Sequence, residues 1–415
     1  MKKSIGIISA LCLGISAFGQ NINDPDPTAN GKHLQLNTIT TAVPFLIITP
    51  DSRSGAMGDV GAGLSPDANS IHWNTSKLVF SKEKAEFSAS YSPWLRQLVD
   101  DIHLSYIAGY TKLGDQHAIG GSIRYFSLGN ITFTDNIGNV IRDFNPNEFE
   151  VTGAYAFRLS ERNAIGINGK FVYSNLTGGT NVGNVGSKAG VAGAVDVSYS
   201  WFNPDIRVGD KDATLSLATT ISNIGNKIAY TVDSERDFLP TNLRLGSAFK
   251  VEFDKYNSLT TAVDFNKLLV PSPPVYDGDG NLVSGKDPEV GVVTGMIQSF
   301  YDAPGDVSFD ENGDPSIKKN SRFGEEMREI NFGVGLEYWY SSILAVRTGY
   351  FHEHYSKGNR RYLTFGAGIY FGVFGLDVSY LASVTQNNPL ANTVRFSLKF
   401  KFGDKKATDN PSVDD

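Results

Sequence analysis

The chain has a single cysteine, Cys12, in 415 residues. Everything after it is free of thiols, which excludes a disulfide scaffold, a thiolate metal site and a cysteine nucleophile from the bulk of the molecule. Long apolar runs are also missing. After residue 20 no stretch approaches ~18 consecutive apolar residues, so no membrane-spanning helix is encoded. The best candidate, Val43 to Thr49, is short and holds Pro44. Basic residues are the minority, 37 Lys and Arg against 44 Asp and Glu, for a net charge of −7. Such a chain has no global field for nucleic acid, and none is expected as a partner. Hydrophobic residues make up 40%, below the usual ~45–50%.

Glycine and aromatics stand out instead, with 43 Gly and 12% Phe, Trp and Tyr. The N-terminus sets the compartment. Lys2 and Lys3 precede a mostly apolar stretch from Ile5 to Ile15, and Ala17 and Gly19 put small residues at −3 and −1. This predicts a secretory signal peptide over residues 1–19, cleaved after Gly19. Leu11, before Cys12, is too large for a lipoprotein cleavage site, so no lipid anchor is expected. Without the two leader lysines the charge falls to near −9 (37 less 2, against 44).

Period-2 alternation recurs from Glu86 onward. Val394, Phe396, Leu398, Phe400 and Phe402 alternate with Arg395, Ser397, Lys399 and Lys401. Similar segments run through Phe149–Leu159, Val191–Trp201 and Ile330–Tyr338. Each is roughly ten residues, the length of a tilted strand crossing a bilayer, whereas strands of soluble proteins average about 5–6. About fourteen strands are expected, starting near residues 86, 103, 117, 148, 163, 188, 213, 241, 257, 328, 343, 361, 373 and 392. The connections alternate between long ones and short turns such as Gly114-Asp115-Gln116 and Ser341-Ser342. Asn203–Asp212 is a medium exception. Long external loops and short periplasmic turns are the pattern of outer-membrane barrels, and an even strand number places both termini in the periplasm. Phe157, Trp201-Phe202, Tyr338-Trp339-Tyr340, Phe371 and Phe402 lie beside short turns and are expected to form an interfacial girdle. The fold class is therefore all-β, a transmembrane antiparallel β-barrel of about 14 strands over residues 86–402. A soluble β-protein is the alternative, but it leaves the loop alternation accidental.

Residues 20–85 fit no strand pattern. They combine Val43–Pro50 with a small-residue stretch, Gly55, Ala56, Gly58, Gly61, Ala62 and Gly63, that permits close backbone approach. A plug inside the barrel is expected. Residues 268–326 form a long external loop, rich in proline, with Gly291–Tyr301 able to form a short amphipathic helix or strand. Loops of this length are commonly functional. Pro271, Pro274, Tyr276, Met296, Phe300 and Tyr301 are its candidate partner-binding residues. Residues 403–415 are a polar tail.

Catalytic and metal signals are weak. There is no Gly-x-Ser-x-Gly elbow and no His-Glu-x-x-His. His352-Glu353-His354 offers two ligands without a third. Asp277-Gly278-Asp279-Gly280-Asn281 and Asp310, Asn312, Asp314 imitate the start of a calcium loop, without its Gly at position 6 and Glu at position 12. Such sequences are more often turns. No cofactor, metal site or enzymatic activity is expected.

The run from Thr41 to Gly61, with Pro44, Phe45, Pro50, Asp51, Arg53, Gly55, Met57, Gly58 and Asp59, continues through Ser65–Ser70 to Trp73-Asn74. It resembles the N-terminal signature of the PorV family of the Bacteroidetes type IX secretion system, itself similar to the FadL barrel superfamily. That superfamily tends to read Asn-Pro-Ala-Gly-Leu where this chain has Asn74–Leu78. The resemblance implies a fourteen-stranded outer-membrane barrel with an N-terminal plug. It also implies partners: the giant translocon barrel, the C-terminal signal domains of exported cargo, and a surface attachment complex with a sortase-like protease, in a setting of outer-membrane lipid. Strand addition to a β-rich cargo domain would give affinity without strict side-chain matching. The competing expectation is a FadL-like transporter of fatty acids or other apolar solutes. Glu148, Glu150, Arg158, Asp196, Glu337, Arg395, Lys399 and Lys401 would line its lumen, a polar surface unfavourable to an acyl chain. A lipid-modifying enzyme is the third reading and lacks a recognisable nucleophile.

Overall fold

The computed structural model describes residues 36–94, 101–134, 137–179, 186–231, 236–309, 314–384 and 390–403. The expected leader, the tail beyond Gly403 and the Asp310/Asn312 pair lie outside them. Fourteen antiparallel strands close into a barrel. They are β1 (Ala85–Pro93), β2 (Ile102–Leu113), β3 (His117–Leu128), β4 (Asn147–Arg158), β5 (Asn163–Asn175), β6 (Gly190–Val208) and β7 (Lys211–Gly225). There follow β8 (Asn242–Glu252), β9 (Asn257–Leu268), β10 (Ile330–Tyr340), β11 (Leu344–His352), β12 (Arg361–Phe371), β13 (Phe374–Ser383) and β14 (Thr393–Phe402). Ala85 pairs with Phe402 and Tyr91 with Phe396, so β1 and β14 seal the cylinder and the barrel sheet has no edge.

The two faces invert the soluble pattern. On β14, Phe396 and Leu398 are 43% and 38% exposed, while Arg395, Ser397 and Lys399 are at most 1% exposed. On β5, Ile165, Ile167 and Phe171 face outward, and Asn168 and Lys170 face inward. Burying such a side chain is worth about 1.5–3 kcal/mol. A whole outward band of them in water is untenable, and a lipid surround removes the cost.

Turns of two to four residues join one end of the strands. Ser341 and Ser342 both have φ near +55°, the twist a tight hairpin requires. The expected medium connection at Asn203–Asp212 is corrected. Strands β6 and β7 run on past the others, with bulges between Val195/Val197 and Asn203/Ile206, and meet at a two-residue turn. The girdle expectation is corrected at Phe202 and Trp339. Phe371, Phe402 and Tyr340 point outward, but Phe202 stacks on Phe80 of the N-terminal segment (5.4 Å) and Trp339 packs on Tyr370 (5.0 Å). Both line the cavity inside the short-turn mouth. Strand alternation forbids consecutive aromatics from sharing one face.

The N-terminal segment fills the lumen. It starts at the long-loop end, where Asn37 N–H donates to Ser356 O and Ala42 N–H to Phe238 O. It descends through a 3₁₀ turn (Pro44–Ile47), α1 (Ser52–Gly55), α2 (Ser70–Trp73) and a second 3₁₀ turn (Thr75–Phe80), and enters β1 at the short-turn end. The expectation that both termini are periplasmic concerns residues that lie outside the described chain. Its N-terminal end lies at the long-loop mouth, and β14 leaves at the opposite mouth. Strand parity fixes only the C-terminal end, because a plug can thread the lumen in either direction.

Candidate functional site

The plug is held to the wall by a buried ionic lattice. Asp51 caps α1, accepting from Ser54 N–H (2.9 Å), and its other oxygen accepts from Trp73 Nε1 (2.7 Å). That cap aims Arg53 at β10, where its guanidinium grips Glu337 through both oxygens (2.9 and 2.7 Å) and reaches Asp67 (3.3 Å). The lattice continues along the wall. Arg347 on β11 pairs with Glu337 (2.7 Å) and with Asp377 on β13 (2.7 Å), and Lys399 on β14 pairs with Asp67 (2.9 Å) and Asp377 (3.4 Å). Arg53, Asp67, Glu337, Arg347, Asp377 and Lys399 each meet at least one charge of opposite sign, as burial demands.

Backbone contact completes the lock. A Cβ at Gly349 would stand 2.1 Å from Met57 C, and one at Gly333 would stand 2.1 Å from Gly58 O. Glycines of the wall, not only those of the plug, let Met57-Gly58 rest directly on β10 and β11. Gly58 itself has φ +70°, a conformation open to glycine. On the adjacent strand β9, Asp264 accepts from Gly61 and Ala62 N–H (2.8 and 2.9 Å), and further round the wall Asn74 donates to Tyr199 O and Thr219 O (3.0 and 3.3 Å) across the β6–β7 seam. Phe45 stacks on Phe126, and its carbonyl accepts from Arg124. Asp59 accepts from the Tyr362 hydroxyl. Pro44 opens the first 3₁₀ turn, Gly55 lies against Arg395, and Pro50 and Met57 are buried. The residues singled out in the N-terminal signature all lie in the plug, most of them buried, while Pro44 is exposed. The wall partners Asp264, Asp377 and Gly349 were not singled out; their only sign in the sequence was inward parity on a strand.

The long loop is a folded cap. It carries two small hairpins (Val275–Tyr276 with Leu282–Ser284, and Val307–Phe309 with Pro315–Ile317), α3 (Val292–Gln298) and α4 (Arg322–Arg328). An ionic clasp ties it to the barrel rim. Lys267 at the top of β9 pairs with Glu326 and Glu329, and Lys357 from a neighbouring loop pairs with Glu325 and Glu329. Asn37 of the plug donates to Glu325 (2.9 Å). Asp302 lies near these carboxylates and accepts from Ser272 N–H (3.1 Å). Burial pushes its pKa up to about 6, despite that hydrogen bond. A cavity of about 200 Å³ opens between Leu36, Pro273, Pro274, Glu325, Arg328 and Ser356.

The loop residues expected to meet a partner divide. Tyr276, Phe300 and Tyr301 are exposed, at 48%, 52% and 54%. Pro274 and Met296 are half-buried. Pro271 is buried beside Gly295 and is corrected to a packing residue. Val293 and Ile297 on α3, and Phe323 and Met327 on α4, are exposed apolar pairs at helical spacing that sequence reasoning missed. The helix register shows them, once the helices are known.

The imitation calcium loop is a turn. The Asp277 carboxylate accepts from the N–H groups of Asp279 and Asn281, and Gly280 has φ +84°. His352 stacks on Phe332, and His354 caps a short 3₁₀ turn. Among the described residues no group of three or more His, Cys, Asp or Glu is placed to hold a metal ion.

Solved structures of similar shape include the toluene transporter TbuX of Ralstonia pickettii (12% identity, 86% of this chain and 100% of that one, TM-score 0.47). Others are the toluene transporter TodX of Pseudomonas putida (11%, 88% and 98%, 0.45) and a FadL homologue of Pseudomonas aeruginosa (11%, 88% and 99%, 0.42). No curated protein matches in sequence. The sequence profile of the family described as type IX secretion system protein PorV matches residues 31–275, more than half of the 415 residues. The chain therefore belongs to the PorV family, as an outer-membrane β-barrel component of type IX secretion.

Proposed function

We propose that this protein is a non-catalytic outer-membrane receptor. It binds the translocon barrel and the C-terminal signal domain of exported cargo, and passes cargo to the surface attachment complex. The observation that carries this reading is the contrast between the two ends of one molecule. The lumen is filled by a plug held on buried ion pairs and direct backbone contact, while the long-loop cap presents apolar side chains to solvent. A transporter of apolar solutes needs a greasy path through the lumen, and Arg347, Glu337, Asp377 and Lys399 occupy that path. In the cap, the two small hairpins are two-stranded, and their edges are where a cargo domain would add a strand.

The deciding experiment is affinity purification of tagged protein from native outer membrane in mild detergent. A version with residues 274–321 replaced by a short Gly-Ser linker is purified in parallel. The intact protein is expected to bring down a very large barrel and cargo sharing a C-terminal domain, and the shortened one neither. Normal cargo release with the loop removed would sink the proposal. Recovery of the barrel alone with bound acyl lipid would favour the transporter.

The threading of the plug gives a second expected result. Leu36 is 69% exposed at the long-loop mouth, and Gly403 ends the described chain at the other. A Leu36→Cys variant is expected to react with a membrane-impermeant maleimide on intact cells. A Gly403→Cys variant should react only after the outer membrane is opened. The reverse pattern would overturn the assignment of the long-loop end to the cell surface.

A further inference from the structure

Four carboxylates meet where the cap joins the barrel rim, those of Asp302, Glu325, Glu326 and Glu329, and two ammoniums face them, Lys267 at the top of β9 and Lys357 in the β11–β12 loop. The three glutamates at the end of α4 share both lysines, at distances of 2.6 to 3.2 Å. Asp302 touches neither. Its Oδ2 accepts from Ser272 N–H (3.1 Å), and its Oδ1 is buried with no hydrogen-bond partner among the described residues. The residue is 1% exposed. The other charges of the packed elements are engaged elsewhere. Arg328 of α4 pairs with Asp306 (2.5 Å), and Lys286 lies over the Tyr301 ring (4.0 Å). With every group ionised the cluster carries two uncompensated negative charges, four carboxylates less two ammoniums. A buried charge without a partner is costly, and a like charge beside it adds to the cost. The remedy at hand is a proton on the one carboxylate that no cation contacts.

The position of Asp302 gives that proton a structural consequence. Ser272 follows β9 and Asp302 follows α3, so their contact closes the base of the lobe formed by residues 273–301. That lobe carries the first hairpin and α3. The chain just beyond is held by the same glutamates, Ala303 N–H donating to Glu326 (2.8 Å) and Gly305 N–H to Glu325 (2.5 Å). Ionising Asp302 sets a third negative charge against the two carboxylates nearest to it, Glu326 and Glu329.

We propose that Asp302 is a pH-operated latch, which holds the α3 lobe closed in mildly acidic medium and loosens it as the medium turns neutral and then alkaline. The sign follows from linkage. In the closed lobe burial keeps the proton on Asp302 up to about pH 6, whereas an exposed aspartate loses it near 3.8. The closed form thus binds more protons between these values, so its stability rises as pH falls through 6 and is lost as pH rises. From pH 5 to pH 7.5 the opening equilibrium should increase roughly ten-fold.

The test is amide hydrogen exchange on the full-length mature protein in detergent, between pH 5 and pH 7.5, with rates divided by the intrinsic rate at each pH. The reporters are Gly295, Ser299 and Tyr301, whose N–H groups donate to carbonyls of the lobe itself. Their protection is expected to fall roughly ten-fold across this range, while amides of β10 stay unchanged. Asp302→Asn keeps an acceptor for Ser272 N–H and carries no charge. Its protection should be flat with pH, and at pH 7.5 higher than that of the wild type. Should that variant not fold, the wild-type profile decides alone. Wild-type protection that is flat, or that rises with pH, would overturn the proposal, and so would a wild-type slope that persists in Asp302→Asn.

Discussion

Glu337→Ala is expected to be the most damaging single substitution in the lumen. The carboxylate is shared by two guanidiniums, Arg53 from the plug and Arg347 from the wall, and is 1% exposed. Removing it leaves both cations buried, Arg53 with only Asp67 at 3.3 Å and Arg347 with only Asp377. Removing one partner of a buried pair costs about 3–5 kcal/mol. Here the cost falls on the contact between plug and barrel, because the barrel ladder itself is untouched. The expected outcome has two parts. The temperature at which the protein loses its compact form on a denaturing gel should drop, and planar bilayers holding the variant should show ion conductance that the wild type lacks. Glu337→Gln keeps the shape and one acceptor oxygen, so its effect should be smaller. A variant as stable and as tightly closed as the wild type would mean that the glycine contacts at Gly333 and Gly349 hold the plug unaided.

Much of this architecture was legible because a membrane barrel writes itself twice into a sequence, once as strand parity and once as loop length. The alternation Val394 to Phe402 gave the orientation of β14 side chain by side chain. Parity also placed Glu337, Arg395 and Lys399 in the lumen. It failed where side chains rather than period decide. Trp339 follows Tyr338 and must point the other way, so a cluster of aromatics near a turn is not a girdle until each is assigned a face. The direction of the plug was illegible for a different reason. Nothing in Thr41–Leu78 states whether the chain enters from above or below; that depends on contacts such as Asn37 with Ser356 and Arg53 with Glu337, which lie 284 or more residues apart in sequence. The cap was illegible in detail because its helices are only seven residues each. Two turns carry too little periodicity to separate an apolar face from a chance run.

Pairing Ile297→Asp with Phe300→Asp is expected to abolish recovery of the large barrel and of cargo, while leaving the fold intact. Helix α3 buries Gly295 and Gln298 toward the loop body and turns Val293 and Ile297 outward, with Phe300 and Tyr301 just beyond its last turn. Ile297 and Phe300 are more than half exposed, and the one ring contact is Lys267 Nζ 5.9 Å over Phe300, so their replacement should move the unfolding temperature little. In an interface the balance reverses. Truncating a buried aromatic anchor commonly costs 2 kcal/mol or more, roughly thirty-fold in affinity. A carboxylate left unpaired there costs more again. The drop in co-purified partner should therefore exceed roughly thirty-fold. Phe323→Asp with Met327→Asp applies the same test to α4, where Phe323 is 74% exposed. Loss with the first pair and retention with the second would assign the contact to α3. Full retention with both would remove the apolar face of the cap from the binding surface and leave the strand edges of its hairpins to carry recognition.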